Sequence, residues 1–275
     1  MKTILRTFVG CTAILFGTAC MGAVKYVPEN MKVELSLKVP GNNAVNYKLH
    51  PDKLENSYFD YEWRSDNKLP ITVFHKVEER DSCMRLTVQL TAAQDVYFNY
   101  RQLLSTGYRH DNCQFYMPGF WYRRNLRSPK KAPSFHTSDS WLVREDRLSA
   151  PLTGIFSEKE KRFMTVNRLD DFSMDALATH KEGEIILSGK TSLGFTGFEN
   201  QQGIAMLSFG FPYREAPKSY IRKLTLAPEV EAFQLMKKGE SVLLTWEIME
   251  SGADDFSDFI PVSYTHLTLP TNSRV

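Results

Sequence analysis

The strongest constraint on the fold of this chain is a period-two alternation of apolar and polar residues that recurs along most of its length. Met31, Val33, Leu35, Leu37 and Val39 alternate with Lys32, Glu34, Ser36 and Lys38. Successive side chains of an extended strand point to opposite faces, so each such run is a strand with one dry and one wet face. The pattern returns at Met84, Leu86, Val88 and Leu90, and again at Val242, Leu244, Trp246 and Ile248. Residues 71–77 and 96–100 read as further strands, and 151–156 and 163–168 flank a charged turn at 157–161 as a hairpin. The stretches 184–188, 205–211 and 220–226 extend the series toward a second sheet. Many strands without crossover helices imply an all-β fold, one large antiparallel β-sandwich over residues 25–250. The helical signal in the body of the chain starts near Asp254, with Phe256 and Phe259 on one side. Ser-Gly-Ala-Asp-Asp at 251–255 supplies a boundary, so 251–261 reads as the start of a linker helix to a domain missing from this chain.

Both ends read as separate from that domain. Residues 1–23 open with Lys2 and Arg6, run apolar from Phe8 to Phe16 and close on small residues at Gly17, Thr18 and Ala19. That is a secretory signal pattern, too short to span a bilayer as a mature helix. Cleavage after Ala19 and lipid attachment at Cys20 both fit, although a lipobox calls for leucine where Gly17 stands. Either route implies export to a bacterial periplasm, with lipidation at Cys20 as the expected link to a membrane. At the other end, 262–275 holds no acidic residue, and Val-Ser-Tyr-Thr-His-Leu-Thr-Leu-Pro-Thr at 262–271 resembles the translation of a transposon-based sequencing-library adapter. That tail is set apart from the fold, as any foreign addition is.

Removing both ends takes away Lys2, Arg6 and Arg274 and no acid, so 34 basic residues less these three leave 31 against 32 acidic ones. A near-neutral domain lacks the basic excess that phosphate neutralisation demands, which argues against a nucleic-acid partner. A domain of roughly 240 residues buries about 70% of its unfolded surface, enough for one large core. Cys83 and Cys113 are the cysteines left in it. An oxidising compartment permits them to pair, closing a loop of about 31 residues at a gain of roughly 3–4 kcal/mol; two separate buried thiols fit the spacing equally. His110 before Cys113 is too sparse a cluster to imply a metal.

Chemistry concentrates between Phe115 and Arg147, where the strand pattern breaks and Pro118, Gly119, Pro129 and Pro133 favour an extended loop. Aromatic faces stack on pyranose rings and guanidinium forks grip carboxylates or sulfates. Trp121, Tyr122, Arg123, Arg124, Arg127, His136, Trp141 and Arg144 are therefore the candidate contacts to an acidic glycan. A competing reading has Trp121 and Trp141 anchoring the loop on the sandwich, with the arginines paired to Asp139, Glu145 and Asp146. Tyr213 and Arg214 suit either a sandwich rim or a turn, and Gly194 and Gly197 fit strand bends better than a phosphate loop. Adjacent carboxylates such as Glu145 and Asp146 point to opposite faces and do not flank a bond as a glycosidase pair must. With no nucleophile elbow, Walker loop, zinc-protease helix or dinucleotide fingerprint, no catalytic residue, metal or cofactor is expected.

Phe-Tyr-Met-Pro-Gly-Phe-Trp-Tyr-Arg-Arg-Asn at 115–125, and Lys-Lys-Gly-Glu-Ser-Val-Leu-Leu-Thr-Trp-Glu-Ile at 237–248 before a helix start, resemble the N-terminal super-β-sandwich of gut-bacterial (Bacteroidetes-like) glycoside hydrolases. The resemblance covers roughly residues 25–261 and implies a catalytic α/α toroid in the same polypeptide beyond them, carrying the acid and base. The sandwich would then be non-catalytic, with 115–147 forming part of the cleft of a periplasmic polysaccharide-degrading enzyme. A stand-alone carbohydrate-binding or surface-assembly sandwich is the other function class that fits.

Overall fold

The alternating runs pair side by side into one hydrogen-bonded ribbon, folded over on itself into two antiparallel layers. The computed structural model describes residues 27–55, 58–80, 83–123, 138–170, 184–216 and 229–260. Residues 1–23 and Cys20, read as an export signal, residues 262–275, read as an adapter-like tail, and the strand expected at 220–226 lie outside these residues.

Strands are numbered in chain order. The first layer runs β9 (Ser140–Arg144), β12 (Phe195–Gln201), β13 (Ile204–Phe211), β6 (Val96–Arg109), β1 (Met31–Lys38) and β2 (Val45–Lys53), with β16 (Gln234–Met236) also on β6. The second runs from β2 through β3 (Tyr61–Arg64), β4 (Ile71–Glu79), β5 (Met84–Ala92), β17 (Ser241–Gly252), β11 (Arg162–Arg168), β10 (Leu152–Ser157) and β7 (Cys113–Met117) to β8 (Trp121–Arg123). The short strands β14 (Arg214–Glu215) and β15 (Val230–Glu231) pair separately. Strand β2 belongs to both layers: residues 45–49 pair with β1 and residues 50–53 with β3.

Where one face is wet the sequence pattern carries straight into burial. Along β5 burial alternates through all nine residues, with Met84, Leu86, Val88, Leu90 and Ala92 inward. Strand β10 is buried on both faces because a helical turn over residues 256–260 lies on its outer side. Asp255 caps that turn by accepting from the amides of Ser257 and Asp258. Phe256 and Phe259 then join Tyr116, Leu152, Phe156, Phe163 and Met249 in a second core outside the sheet. Phe259 fits because β10 has a glycine beneath it: a Cβ at Gly154 would lie 2.3 Å from the ring.

Several expectations need correction. The 115–147 stretch is no single loop, since it begins within β7 and contains β8 and β9. The expected strand at 184–188 contributes one isolated parallel bridge, Ile186 to Phe233. Gly197 serves close approach rather than a bend, as a Cβ there would meet the Trp141 carbonyl oxygen at 1.9 Å. Cys83 and Cys113 are not bonded to each other, and both are buried. Burial, with the nearby Glu247 charge, pushes the Cys83 thiol up to about 11, which keeps it protonated and unreactive at neutral pH.

Between the layers, His75 on β4 sits 2.6 Å from the Tyr100 hydroxyl on β6. Complete burial holds the imidazole neutral and lowers its pKa to about 3. The unfolded chain takes up that proton as pH falls through about 6.5, whereas the folded chain resists until about 3, so stability is lost on acidification across that window. Between pH 7 and pH 5 the loss amounts to about 2 kcal/mol. His75→Gln keeps a hydrogen-bonding group beside Tyr100 without the titration. Urea melts at the two pH values should show the variant losing markedly less stability than the wild type; equal losses would assign the acid sensitivity elsewhere.

Candidate functional site

The aromatic and basic residues between 115 and 147 divide into two populations, one inside the sandwich and one on its edge. Trp121 is fully buried and packs edge-on against Phe115 and Phe198, with centroids 6.4 and 4.8 Å away. Trp141, 1% exposed, lies 5.3 Å from Trp121 across the layers. The two indoles donate to the carbonyls of Arg123 and Ser138, at 2.8 and 3.2 Å. Their faces are thus occupied by the core, and the anchoring reading holds for both.

Tyr122 and Arg123 face outward. Period two alone turns Tyr122 out where Trp121 turns in, and it is 49% exposed. Its ring leans on Tyr116 at 5.3 Å, and its hydroxyl oxygen accepts from the Gly119 amide at 3.2 Å. Arg123 breaks the alternation by taking φ 58°, the left-handed region, which throws its side chain out of the sheet. The guanidinium then lies over the Phe256 ring at 5.5 Å, beside the capped helical turn. It makes no ion pair among the described residues. The backbone amides of Ser257 and Asp258, with a contribution from Arg123, hold the Asp255 carboxyl below its ordinary range. An open guanidinium braced on an aromatic ring, next to an exposed phenol, can grip a carboxylate or sulfate and flank a sugar ring. Tyr116, Gly119 and Phe256 support Tyr122 and Arg123, residues the sequence marks for the aromatic cluster, the loop and the helix start without joining them into one site. The Pro-Gly pair at 118–119 marks the turn, but nothing local announces that a helix 130 residues later lies beneath Arg123.

The other cations are committed to partners or lie outside the described residues. Arg144 is 5% exposed, paired through Nε and a terminal nitrogen to both oxygens of Asp146 at 2.9 and 2.5 Å, and it overlies the Tyr213 ring. This corrects the expectation that Arg144 contacts ligand. Arg147 holds Glu215 at 2.6 Å. Arg124, Arg127 and His136 lie outside the described residues. Tyr213 and Arg214 are buried rather than at a rim, with Arg214 engaging Ser36, Glu229 and Glu231. Glu145 is wholly buried, where desolvation pushes its carboxyl up against the opposing pull of Arg168 at 2.6 Å and the Gly194 amide at 2.8 Å. That is a buried ion pair, and Arg168 also holds Asp170 at 3.3 Å. Among the described residues no group of three or more His, Cys, Asp and Glu is placed to hold a metal.

No protein-family model matches the chain, and no curated protein sequence does. Among solved structures it is similar to the Slr1438 protein from Synechocystis, at 6% identity and TM-score 0.40, over 78% of this chain and 73% of that one. It is also similar to a protein described as a kojibiose phosphorylase from the human microbiome, at 5% identity and TM-score 0.33, over 86% of this chain and 24% of that one. A third is a GH36 alpha-galactosidase from Geobacillus stearothermophilus, at 9% identity and TM-score 0.33, over 82% of this chain and 30% of that one. The chain thus spans a quarter to a third of the length of the latter two.

The division into inside and edge has a direct test in chemical denaturation. Trp121→Ala should cost about 3–5 kcal/mol by emptying the contact between the layers. Arg123→Ala should stay within about 0.5 kcal/mol of wild type, because its side chain is solvated. Comparable losses in both would mean that Arg123 is part of the packing.

Proposed function

We propose that this sandwich is the non-catalytic N-terminal domain of an exported polysaccharide-degrading glycoside hydrolase, and that its β8 edge forms one wall of the substrate cleft for an acidic glycan. The observation that carries the reading is the position of Arg123. It is the open guanidinium of the β8 edge, and it sits on the helical turn by which the chain leaves the sandwich. A domain joined through that turn would stand beside Tyr122 and Arg123, so a substrate lying between the two bodies would meet both side chains. Substrate sites favour such junctions.

The rest of the proposal comes from the sequence. The leader at 1–23 directs the protein to the periplasm, with lipid attachment at Cys20 as the variant of that route. The resemblance of 115–125 and 237–248 to enzymes of gut bacteria supplies the toroid expected in the same polypeptide.

Two measurements test this. Reading the source DNA past the codon for Pro261 should reveal some hundreds of further codons with helix-hairpin periodicity and inward carboxylates. A natural stop codon there would sink the hydrolase and leave a stand-alone binding sandwich. Separately, the full chain should be retarded in gels containing polygalacturonate but not in gels containing neutral glucan. The double substitution of Tyr122→Ala and Arg123→Ala should weaken that retardation about tenfold; unchanged retardation would rule out the β8 edge.

A further inference from the structure

At the other end of β17 the sandwich opens into a cleft of 610 Å³, within the range of about 300–1,000 Å³ over which pockets enclose small molecules. Strand β17 is 12 residues long, so roughly 40 Å separates this cleft from the helical turn and Arg123. Its walls come from the turns at 39–43 after β1 and 93–95 between β5 and β6, which carry Pro40, Asn42, Asn43 and Gln94, with Pro70 before β4 and Lys237 before β17 completing the lining.

We infer that this cleft is a second carbohydrate site, built for a short neutral glycan and independent of the β8 edge. The half-buried rings of Tyr47 and Tyr97 and the rings of Pro40 and Pro70 offer apolar faces suited to the C–H face of a pyranose. Beside them stand the side-chain amides of Asn42, Asn43 and Gln94, all exposed and none hydrogen-bonded among the described residues. An amide presents both donor and acceptor, matching a hydroxyl that is itself both. The charges lining the cleft are already spoken for. Asp95 accepts from Lys237 Nζ at 2.8 Å and from the Lys238 amide at 2.9 Å, while Lys38 Nζ donates to the Asn42 carbonyl at 2.9 Å. A ligand therefore meets apolar rings and neutral amides, beside one ion pair and one ammonium held on a carbonyl, and no guanidinium fork stands there to grip a carboxylate, which favours a neutral sugar over a uronate.

The walls are also held in place before any ligand arrives. The backbone N–H of Asn42 donates to the Val39 carbonyl at 3.0 Å, that of Ala93 to Pro70 at 2.7 Å, and that of Gly239 to Ala92 at 2.8 Å. Those bonds tie each turn to itself or to a neighbouring strand, so binding requires little ordering of the backbone, and preorganisation of that kind favours affinity.

Saturation-transfer NMR on the full chain tests the assignment, with maltotriose, cellotriose and xylotriose as neutral probes and trigalacturonate as the charged control. At least one neutral trisaccharide should show transfer. Its Kd should rise about tenfold in both Tyr97→Ala and Asn43→Ala and stay unchanged in Arg123→Ala. Asn43 is an exposed turn residue, so Asn43→Ala should keep the wild-type Tm and still probes the cleft if Tyr97→Ala fails to fold. Absence of transfer from every neutral probe would overturn the proposal, as would an unchanged Kd in Asn43→Ala. Transfer confined to trigalacturonate and lost in Arg123→Ala would overturn it too, while leaving the β8 edge as the place of binding.

Discussion

The sandwich depends on aromatic rings that cross between its two layers. Phe115 from β7 stacks on Phe198 from β12 with centroids 4.2 Å apart and planes 24° from parallel. Phe209 from β13 meets Trp246 from β17 at 5.3 Å. The contact between Trp121 and Trp141 has a topological meaning beyond its area. Strands β8 and β9 stand last in the strand order of the ribbon, β9 being bridged on its outer side to Ala216, and the indoles bring those ends together across the layers. On the opposite side β2 crosses from one layer to the other by backbone pairing. One side of the sandwich is therefore closed by backbone pairing and the other by side chains, with Phe115, Phe198 and the Thr153–Thr196 hydrogen bond beside the two indoles, so the second closure is the one that point substitution can weaken.

This arrangement divides the aromatic residues by role. Rings drawn into the interlock give up both faces to the core and have none left for a ligand. Those on edges and end turns keep one face in solvent, as Tyr122 does on β8 and as Tyr47 and Tyr97 do in part at the far end. Charge divides in the same manner. The buried guanidiniums of Arg144, Arg168 and Arg214 each meet carboxylates, because an unpaired charge in a dry layer is too costly to keep. Arg123 escapes that requirement by leaving the sheet.

Much of the fold is legible in the sequence because a strand with one wet face writes its burial pattern into its residues. Strands β1, β4, β5 and β17 can be read that way, whereas β13 and the β10–β11 hairpin, buried on both faces, are legible from their apolar runs and the charged turn at 157–161, and the helix start from Phe256 and Phe259. The strands that escape have two like faces and no such run or turn to mark them. Only Leu49 is buried along β2, so its nine residues read as a polar linker. Strand β9 and most of β12 are buried on both sides and show no alternation, and Gly197 makes β12 look like a bend. The candidate site is half legible for a related reason. Density of Trp, Tyr and Arg marks a place where apolar and polar chemistry meet, but it does not say which residue faces which way. For Trp121 and Tyr122 the parity of the strand decides. For Arg123 a backbone torsion decides, and no residue type announces it.

The glycine under Phe259 has a consequence for direction. A ring seated in a notch one side chain wide has a single azimuth, since advancing the helical turn by one residue swings its side chains by about 100°. The socket at Gly154 thus acts as an index pin that sets the rotation of the turn about its own axis as well as its place on the sheet. A methyl group placed at Gly154 would meet that ring and crowd Thr165 as well, so the orientation of the turn and the packing of the second core answer to the same missing side chain.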